Sequence, residues 1–226
     1  MLIIAIIPAR GGSRELPRKN LRRIAGEPMI AHTIRAALGA RRVDRTIVST
    51  DDPNIARIAR DYGAEVPFER PGELAQDRTP TLPVIVHAVE EVEAAGNPVS
   101  VVVTLQPTSP LRGSAEIDAA IELMERSGAR SAVAVAEVGL PASTLGAVVD
   151  GRFVALPMPA GADQRRQAAA PGVRITGAIY VTRRDLLAEG RLLDEAPVAV
   201  VSRGAAAIDI DDLRSLRAAR RAAVRR

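Results

Sequence analysis

Three stretches of this chain carry side chains whose types and spacing could do chemistry. The first is Pro8-Ala9-Arg10-Gly11-Gly12-Ser13-Arg14-Glu15-Leu16-Pro17-Arg18-Lys19-Asn20-Leu21, which directly follows an apolar run from Leu2 to Ile7. Gly11 and Gly12 let the backbone turn closely, bare N–H groups can face phosphate oxygens, and Arg10 and Lys19 supply positive charge. The pattern predicts a triphosphate cradle at the carboxyl end of a strand. It is not a Walker A loop, because no Gly-Lys-Ser/Thr follows the glycines, and it is not the G-x-G-x-x-G dinucleotide turn. A generic surface turn rich in Gly and cations is the other reading.

Lys19 stands out further, because the chain has 31 basic residues and only this one is Lys. Where either cation would serve, this sequence writes Arg. A site that must hug a single phosphate oxygen calls for a compact ammonium instead of a planar fork. The second stretch, Asp209-Ile210-Asp211, spaces two carboxylates two apart in an extended segment. Both then face one side, as a shared Mg²⁺ or Mn²⁺ requires. In the other reading, Asp211 or Asp212 is the N-cap of the last helix. The third stretch is Gln106-Pro107-Thr108-Ser109-Pro110-Leu111-Arg112. It puts an amide at a strand exit, and it also reads as a turn leading to an N-cap at Ser114. Arg70 and Arg112 read equally well as solvated charges. His32 and His87 sit in helical patterns without carboxylate or His partners nearby in sequence, and neither is assigned a role.

The elements that must position these groups follow from periodicity. Strands are expected at Leu2 to Ile7, Thr46 to Thr50, Val99 to Leu105, Ser131 to Val138, Ala178 to Thr182 and Val198 to Val201. Helices are expected at Met29 to Leu38, Asn54 to Asp61, Leu82 to Ala95, Ser114 to Ser127 and Asp211 to Val224. Strands that alternate with helices give an α/β fold with a doubly wound, mostly parallel sheet. Its core must be aliphatic, since 47% of residues are hydrophobic yet there are only two Phe, two Tyr and no Trp. At 226 residues a single domain, 1–226, is expected. Residues 139–174 hold Pro141, Pro157, Pro159 and Pro171 without a helical period. They read as an excursion, a small β-arm that covers the site or contacts a second subunit.

Zero cysteines exclude a disulfide framework, a thiolate metal site and a cysteine nucleophile, which suits an intracellular protein. The apolar N-terminal run is strand-length and has no cationic segment before it, so neither a signal peptide nor a membrane span is expected. The net charge of +4 with a pI near 10.4 reflects Arg, much of it between Arg214 and Arg226. Without interleaved aromatics or a zinc motif, that cluster predicts a solvated last helix and no nucleic-acid partner.

The motifs taken together resemble those of the acylneuraminate cytidylyltransferases. Ile7-Pro8-Ala9-Arg10-Gly11-Gly12-Ser13 with Pro17-Arg18-Lys19-Asn20-Leu21 looks like the family's first signature. Ser49-Thr50-Asp51-Asp52 looks like its second strand end, and Arg70-Pro71, Glu73-Leu74-Ala75, Asp77 and Thr79 look like its nucleotide-side loop. Gln106 to Arg112 resembles the third strand end, Arg166-Gln167 followed by Gly177-Ala178-Ile179-Tyr180 a later signature, and Ile208 to Asp211 the metal segment. The resemblance implies a Rossmann-like nucleotidyltransferase fold and a cytoplasmic homodimer. It also implies transfer of CMP from CTP to a sialic-acid-like 2-keto sugar acid (a nonulosonic acid), with release of pyrophosphate. By the same resemblance Arg10, Gly11, Gly12, Ser13, Lys19 and Asn20 would hold the CTP phosphates and base, with Arg70 and Thr79 on the nucleoside side. Gln106 and Arg166, with Tyr180 behind, would face the sugar acid. Arg10, Lys19 and the metal-holding Asp209 and Asp211 would carry catalysis.

Three positions depart from the family's usual pattern. Arg14-Glu15 intervenes after the Ser, Thr176 stands where an Asn is usual, and no Thr-Pro-Glu-Asp follows Asp211. These bear on the acceptor more than on CTP. The rival expectations are therefore a deoxyoctulosonate or phosphonate acceptor, or a nucleotide-binding module without catalysis.

Overall fold

The computed structural model describes residues 1–13, 15–156 and 170–224. The run Leu2–Pro8 forms strand β1, and its alternate side chains divide the interior. Ile3, Ala5 and Ile7 pack on one side with Ile30, Ile34, Ile55, Ile117 and Ile121. Ile4 and Ile6 pack on the other with Ile85, Val89 and Val92. Successive side chains of a strand point to opposite faces, so a strand apolar at every position needs cover on both.

In chain order a short hairpin follows, made of β2 (Arg23–Ile24) and β3 (Glu27–Pro28). Then come α1 (Met29–Leu38), β4 (Arg45–Ser49), α2 (Pro53–Asp61), α3 (Thr81–Ala94), β5 (Val99–Thr104), α4 (Ser114–Ser127) and β6 (Ser131–Pro141). The chain continues through β7 (Gly146–Val149), β8 (Arg152–Ala155), β9 (Pro171–Arg183), α5 (Arg184–Ala188), β10 (Val198–Val201) and α6 (Leu213–Ala223). Six strands form one sheet in the order β10-β6-β9-β5-β1-β4. β1 lies parallel to β4 and β5, and β10 parallel to β6. The α/β, doubly wound and mostly parallel sheet expected from sequence is therefore present, with one exception. β9 runs antiparallel to both β5 and β6. It enters beside the far end of β6, where Pro141 pairs with Pro171, and a strand that re-enters from the same end must run back.

The helix ends refine three sequence readings. Asp52 caps α2, accepting from the Asn54 and Ile55 amides at 2.7 and 3.2 Å. The N-cap of α4 is Gly113 and not Ser114, because the Glu116 carboxylate reaches back to the Gly113 N–H at 2.9 Å. Asp212 caps α6 through the Ser215 amide at 2.7 Å, so Asp211 is not the cap. Leu216 and Ala219 of α6 join a third buried cluster with Leu16, Ile24, Leu111 and Ile210. That cluster fastens the last helix, the glycine loop and the loop after β5 to one another.

Within 139–174, the described residues extend β6 and β9 into an antiparallel ribbon and add the β7–β8 hairpin. Asp150 and Gly151 turn that hairpin at φ 50° and 75°, the left-handed pair that an Asp-Gly turn supplies.

Candidate active site

The carboxyl ends of β1 and β5 open into a cleft of about 290 Å³. It is bounded by Arg10, Gly12, Ser13, Lys19 and Asn20 from the first loop, and by Arg70 and Thr79 from the loop before α3. Gln106 and Thr108 from the third loop and Asp209 and Asp211 from the segment before α6 complete it. Beyond the carboxyl ends is where open α/β sheets bind ligands. The structure thus brings together ten of the thirteen site residues expected from sequence. Gly11 and Tyr180 do not line the cleft, while Arg166, like Arg14, lies outside the described residues.

The glycine loop is held from behind. The Gly11 amide donates to Asp51 Oδ1 at 3.0 Å, so it is committed to a carboxylate and not offered to phosphate. A Cβ at Gly11 would stand 2.8 Å from Asp52 Oδ2 and 2.9 Å from Asp52 Cβ, which explains the glycine by close approach of the β4–α2 turn. Asn20 braces the same loop, its Nδ2 donating to the Arg10 carbonyl at 3.0 Å. The Glu15 carboxylate, which would repel phosphates, is on an exposed residue outside the cleft wall.

Two cations of the loop, Arg10 and Lys19, meet carboxylates from elsewhere in the chain. Arg10 Nη1 pairs with Asp77 Oδ1 at 2.5 Å, and Lys19 Nζ with Asp211 Oδ1 at 2.9 Å. Arg70 differs: it is 4% exposed, so the solvated reading fails. Its Nε donates to Ser49 Oγ at 3.1 Å and its Nη2 to the Ser49 carbonyl. Burial pulls its pKa down to about 10, with Asp51 acting against that and Arg10 adding to it. Thr79 lines the cleft, and its Oγ1 donates to the Glu73 carbonyl at 3.2 Å.

On the other wall, Ile210 is fully buried between Asp209 and Asp211, and both carboxylate residues border the cleft. The alternation expected from sequence is what an extended segment anchored by its middle residue produces. The Ile210 amide donates to the Thr108 carbonyl at 2.8 Å, and Ser109 Oγ lies 3.5 Å from Asp209 Oδ1. Gln106 fits against Gly177, where a Cβ would come within 2.7 Å of Gln106 Oε1 and where φ is +75°. Thr176 turns inward, donating to the Ala134 carbonyl at 3.1 Å and accepting from the Ala178 amide at 3.2 Å. Tyr180 sits on β9 opposite Thr104; burial raises its pKa, and the charge of Asp209 raises it further.

Sequence reasoning missed the interior role of Arg112, which is 3% exposed and donates from Nη2 to the Gln106 carbonyl. It also missed that Asp51 and Asp52 carry the glycine loop. Their position at a strand end, in a motif already singled out, was the available signal.

Residues 4–149 match the family model described as cytidylyltransferase. The CMP-N,N'-diacetyllegionaminic acid synthase of Legionella pneumophila is 41% identical over 143 residues, 63% of this chain and 61% of that protein. The N-acylneuraminate cytidylyltransferase of Escherichia coli is 40% identical over 126 residues, 54% of this chain and 28% of that one. The match therefore spans less than two thirds of either relative. A solved CMP:2-keto-3-deoxy-manno-octonic acid synthetase complexed with CTP superposes with a TM-score of 0.73 at 22% identity, covering 100% of this chain and 99% of that one, which shows a shared fold. The chain belongs to the cytidylyltransferase family, and the acylneuraminate cytidylyltransferases that its motifs resemble are among its relatives.

Proposed function

We propose that this chain transfers CMP from CTP to a hydroxyl of a sialic-acid-like 2-keto sugar acid, releasing pyrophosphate. The observation that carries the reading is convergence. A cationic glycine loop, an acceptor-side amide and a carboxylate pair border one cleft at the strand ends. The 41% identity to a legionaminic acid synthase supports an acceptor of the nonulosonic class.

Asp209 and Asp211 fit a divalent cation, because both border the cleft beside the phosphate loop and Asp211 already takes a cation, the Lys19 ammonium, at 2.9 Å. Among the described residues no group of three or more His, Cys, Asp or Glu could hold a metal. The remaining ligands would be oxygens of the triphosphate and water, as suits Mg²⁺ or Mn²⁺. When bound there, such an ion draws charge from the α-phosphate and neutralises the departing pyrophosphate.

The chain's own residues do the rest. Lys19 leaves Asp211 for a phosphate oxygen, and Arg10 exchanges Asp77 for another, so neither charge is desolvated without a partner at any stage. Ser13 and Gly12 present polar backbone to the same phosphates. Arg70 keeps the β4 end and the nucleoside-side loop in one position through Ser49. Gln106 orients the acceptor so that its hydroxyl lies in line with the α-phosphate, and positioning with charge stabilisation supplies the rate. Among the described residues the cleft wall carries no histidine, so none of them offers the attacking hydroxyl an imidazole base.

We further infer a homodimer built on the arm. Val148, Val149, Phe153 and Val154 are all more than half exposed, which supports a partner surface. No helix among the described residues is long and apolar enough to cross a membrane. The use of CTP and the absence of cysteine support a cytoplasmic setting. An acceptor panel with CTP tests the reading. A nonulosonic acid is expected to exceed a deoxyoctulosonate and a phosphonate at least tenfold in kcat/KM, and a reversed order would reassign the acceptor.

A further inference from the structure

The loop Gln106–Arg112 closes on itself around a buried guanidinium. Arg112 is 3% exposed, its Nη2 donates to the Gln106 carbonyl, and its Nε and Nη1 have no hydrogen-bond partner among the described residues. A buried cation with two idle donors is costly, and a well-packed apolar side chain of similar volume would often serve stability as well or better. Burial lowers the Arg112 pKa to about 9, while the charges of Glu116 and then Asp209 act against that fall. Glu116 is committed to the Gly113 amide. Asp209 borders the cleft.

The same loop reaches both halves of the site. Its first residue, Gln106, faces the acceptor side, and the Gln106 carbonyl also accepts from the Ser109 amide at 3.3 Å. Its middle holds the metal-side segment, through the Thr108 carbonyl to the Ile210 amide at 2.8 Å and through Ser109 Oγ beside Asp209. Its last apolar residue, Leu111, packs in the cluster that contains Ile210.

We propose that Arg112 is a positioning residue, which holds the acceptor-side Gln106 and the metal-side Asp209 in one fixed relation from inside this loop. It touches neither substrate, acting through the Gln106 carbonyl and through its charge on Asp209. The phosphate loop does not depend on it, since Asp51 and Asn20 brace that loop separately. The inference rests on the functional reading above, and its test separates the two.

Arg112→Met removes the charge at similar length, and Arg112→Lys keeps a charge and a donor. Three constants are measured on each folded variant: CTP affinity by calorimetry without metal, Mn²⁺ affinity of the CTP complex by water-proton relaxation, and the acceptor KM. For Arg112→Met the expected result is an undiminished melting temperature, Mn²⁺ binding and acceptor KM each worse by tenfold or more, and CTP affinity within threefold of the unmodified chain. Arg112→Lys should recover part of both losses. Unchanged Mn²⁺ and acceptor constants in Arg112→Met would overturn the proposal. So would a uniform loss of all three with a lowered melting temperature, or failure of both variants to fold, since each assigns Arg112 to architecture alone. Failure of the unmodified chain to bind CTP and Mn²⁺ would instead remove the functional reading on which the inference stands.

Discussion

The cleft wall and the arm are built from the same kind of aliphatic sequence, yet they end in opposite states. Around the cleft, Ile4, Ile6, Ile7, Leu105 and Ile210 are fully buried, and the polar groups above them are tied across the chain by Asp51, Asn20 and Arg112. In the β7–β8 hairpin, Val148 is 75% and Phe153 63% exposed. Hiding one such side chain is worth about 1.5–3 kcal/mol, so the arm leaves a large stabilisation unused within one chain. The described groups of the cleft are tied to one another within one chain, whereas the apolar side chains of the arm stay exposed within it.

The largest effect should come from the carboxylates. Asp209→Asn and Asp211→Asn should each lower turnover about a hundredfold, equivalent to about 3 kcal/mol of lost charge stabilisation, and move the Mg²⁺ titration to higher concentration. Melting temperatures should stay put, because the helix cap is Asp212. An Asp211→Asn enzyme with unchanged kcat and Mg²⁺ titration would remove Asp211 from the site. The arm should answer in assembly instead of chemistry. Phe153→Asp should weaken the dimer more than tenfold by sedimentation without changing CTP affinity, and a fully active wild-type monomer would erase the comparison. Lys19→Arg should cost about tenfold in kcat/KM, nearly as much as Lys19→Ala, because a planar fork cannot replace a point charge against one phosphate oxygen. Full activity in Lys19→Arg would show that the solitary lysine carries no special role. The smallest effect is expected at Gly177→Ala, where a left-handed φ and the contact with Gln106 should cost about 1 kcal/mol of stability and raise the acceptor KM a few-fold while leaving the CTP constants alone. An unaltered acceptor KM would detach Gln106 from acceptor binding.

The sequence was most legible where one residue's neighbours in the chain decide its state. β1 and the helices Met29–Leu38 and Ser114–Ser127 follow from hydrophobic period and lie where it places them. The facing of Asp209 and Asp211 follows from strand alternation alone. What stayed hidden depends on distant partners. For Arg70 and Arg112 the solvated reading stayed open because a single charge in a loop has no period, and only Ser49 and the Gln106 carbonyl, brought in by folding, reveal why they are buried. The glycine loop read as a row of free amides, but the Gly11 amide belongs to Asp51, forty residues on. β9 was seen from Ala178 because Gly172, Arg174 and Thr176 interrupt its apolar run. Its earlier half exists by pairing with β6, not by its own propensity.

Pyrophosphate release tests whether the cleft joins CTP to a nonulosonic acid. With the purified chain, CTP, the acceptor and Mg²⁺, the expected result is one pyrophosphate per CMP-sugar formed, loss of the signal when any one component is omitted, and at least a tenfold lower kcat/KM when UTP, ATP or GTP replaces CTP. Binding of CTP without pyrophosphate release, or equal rates with UTP, would contradict it.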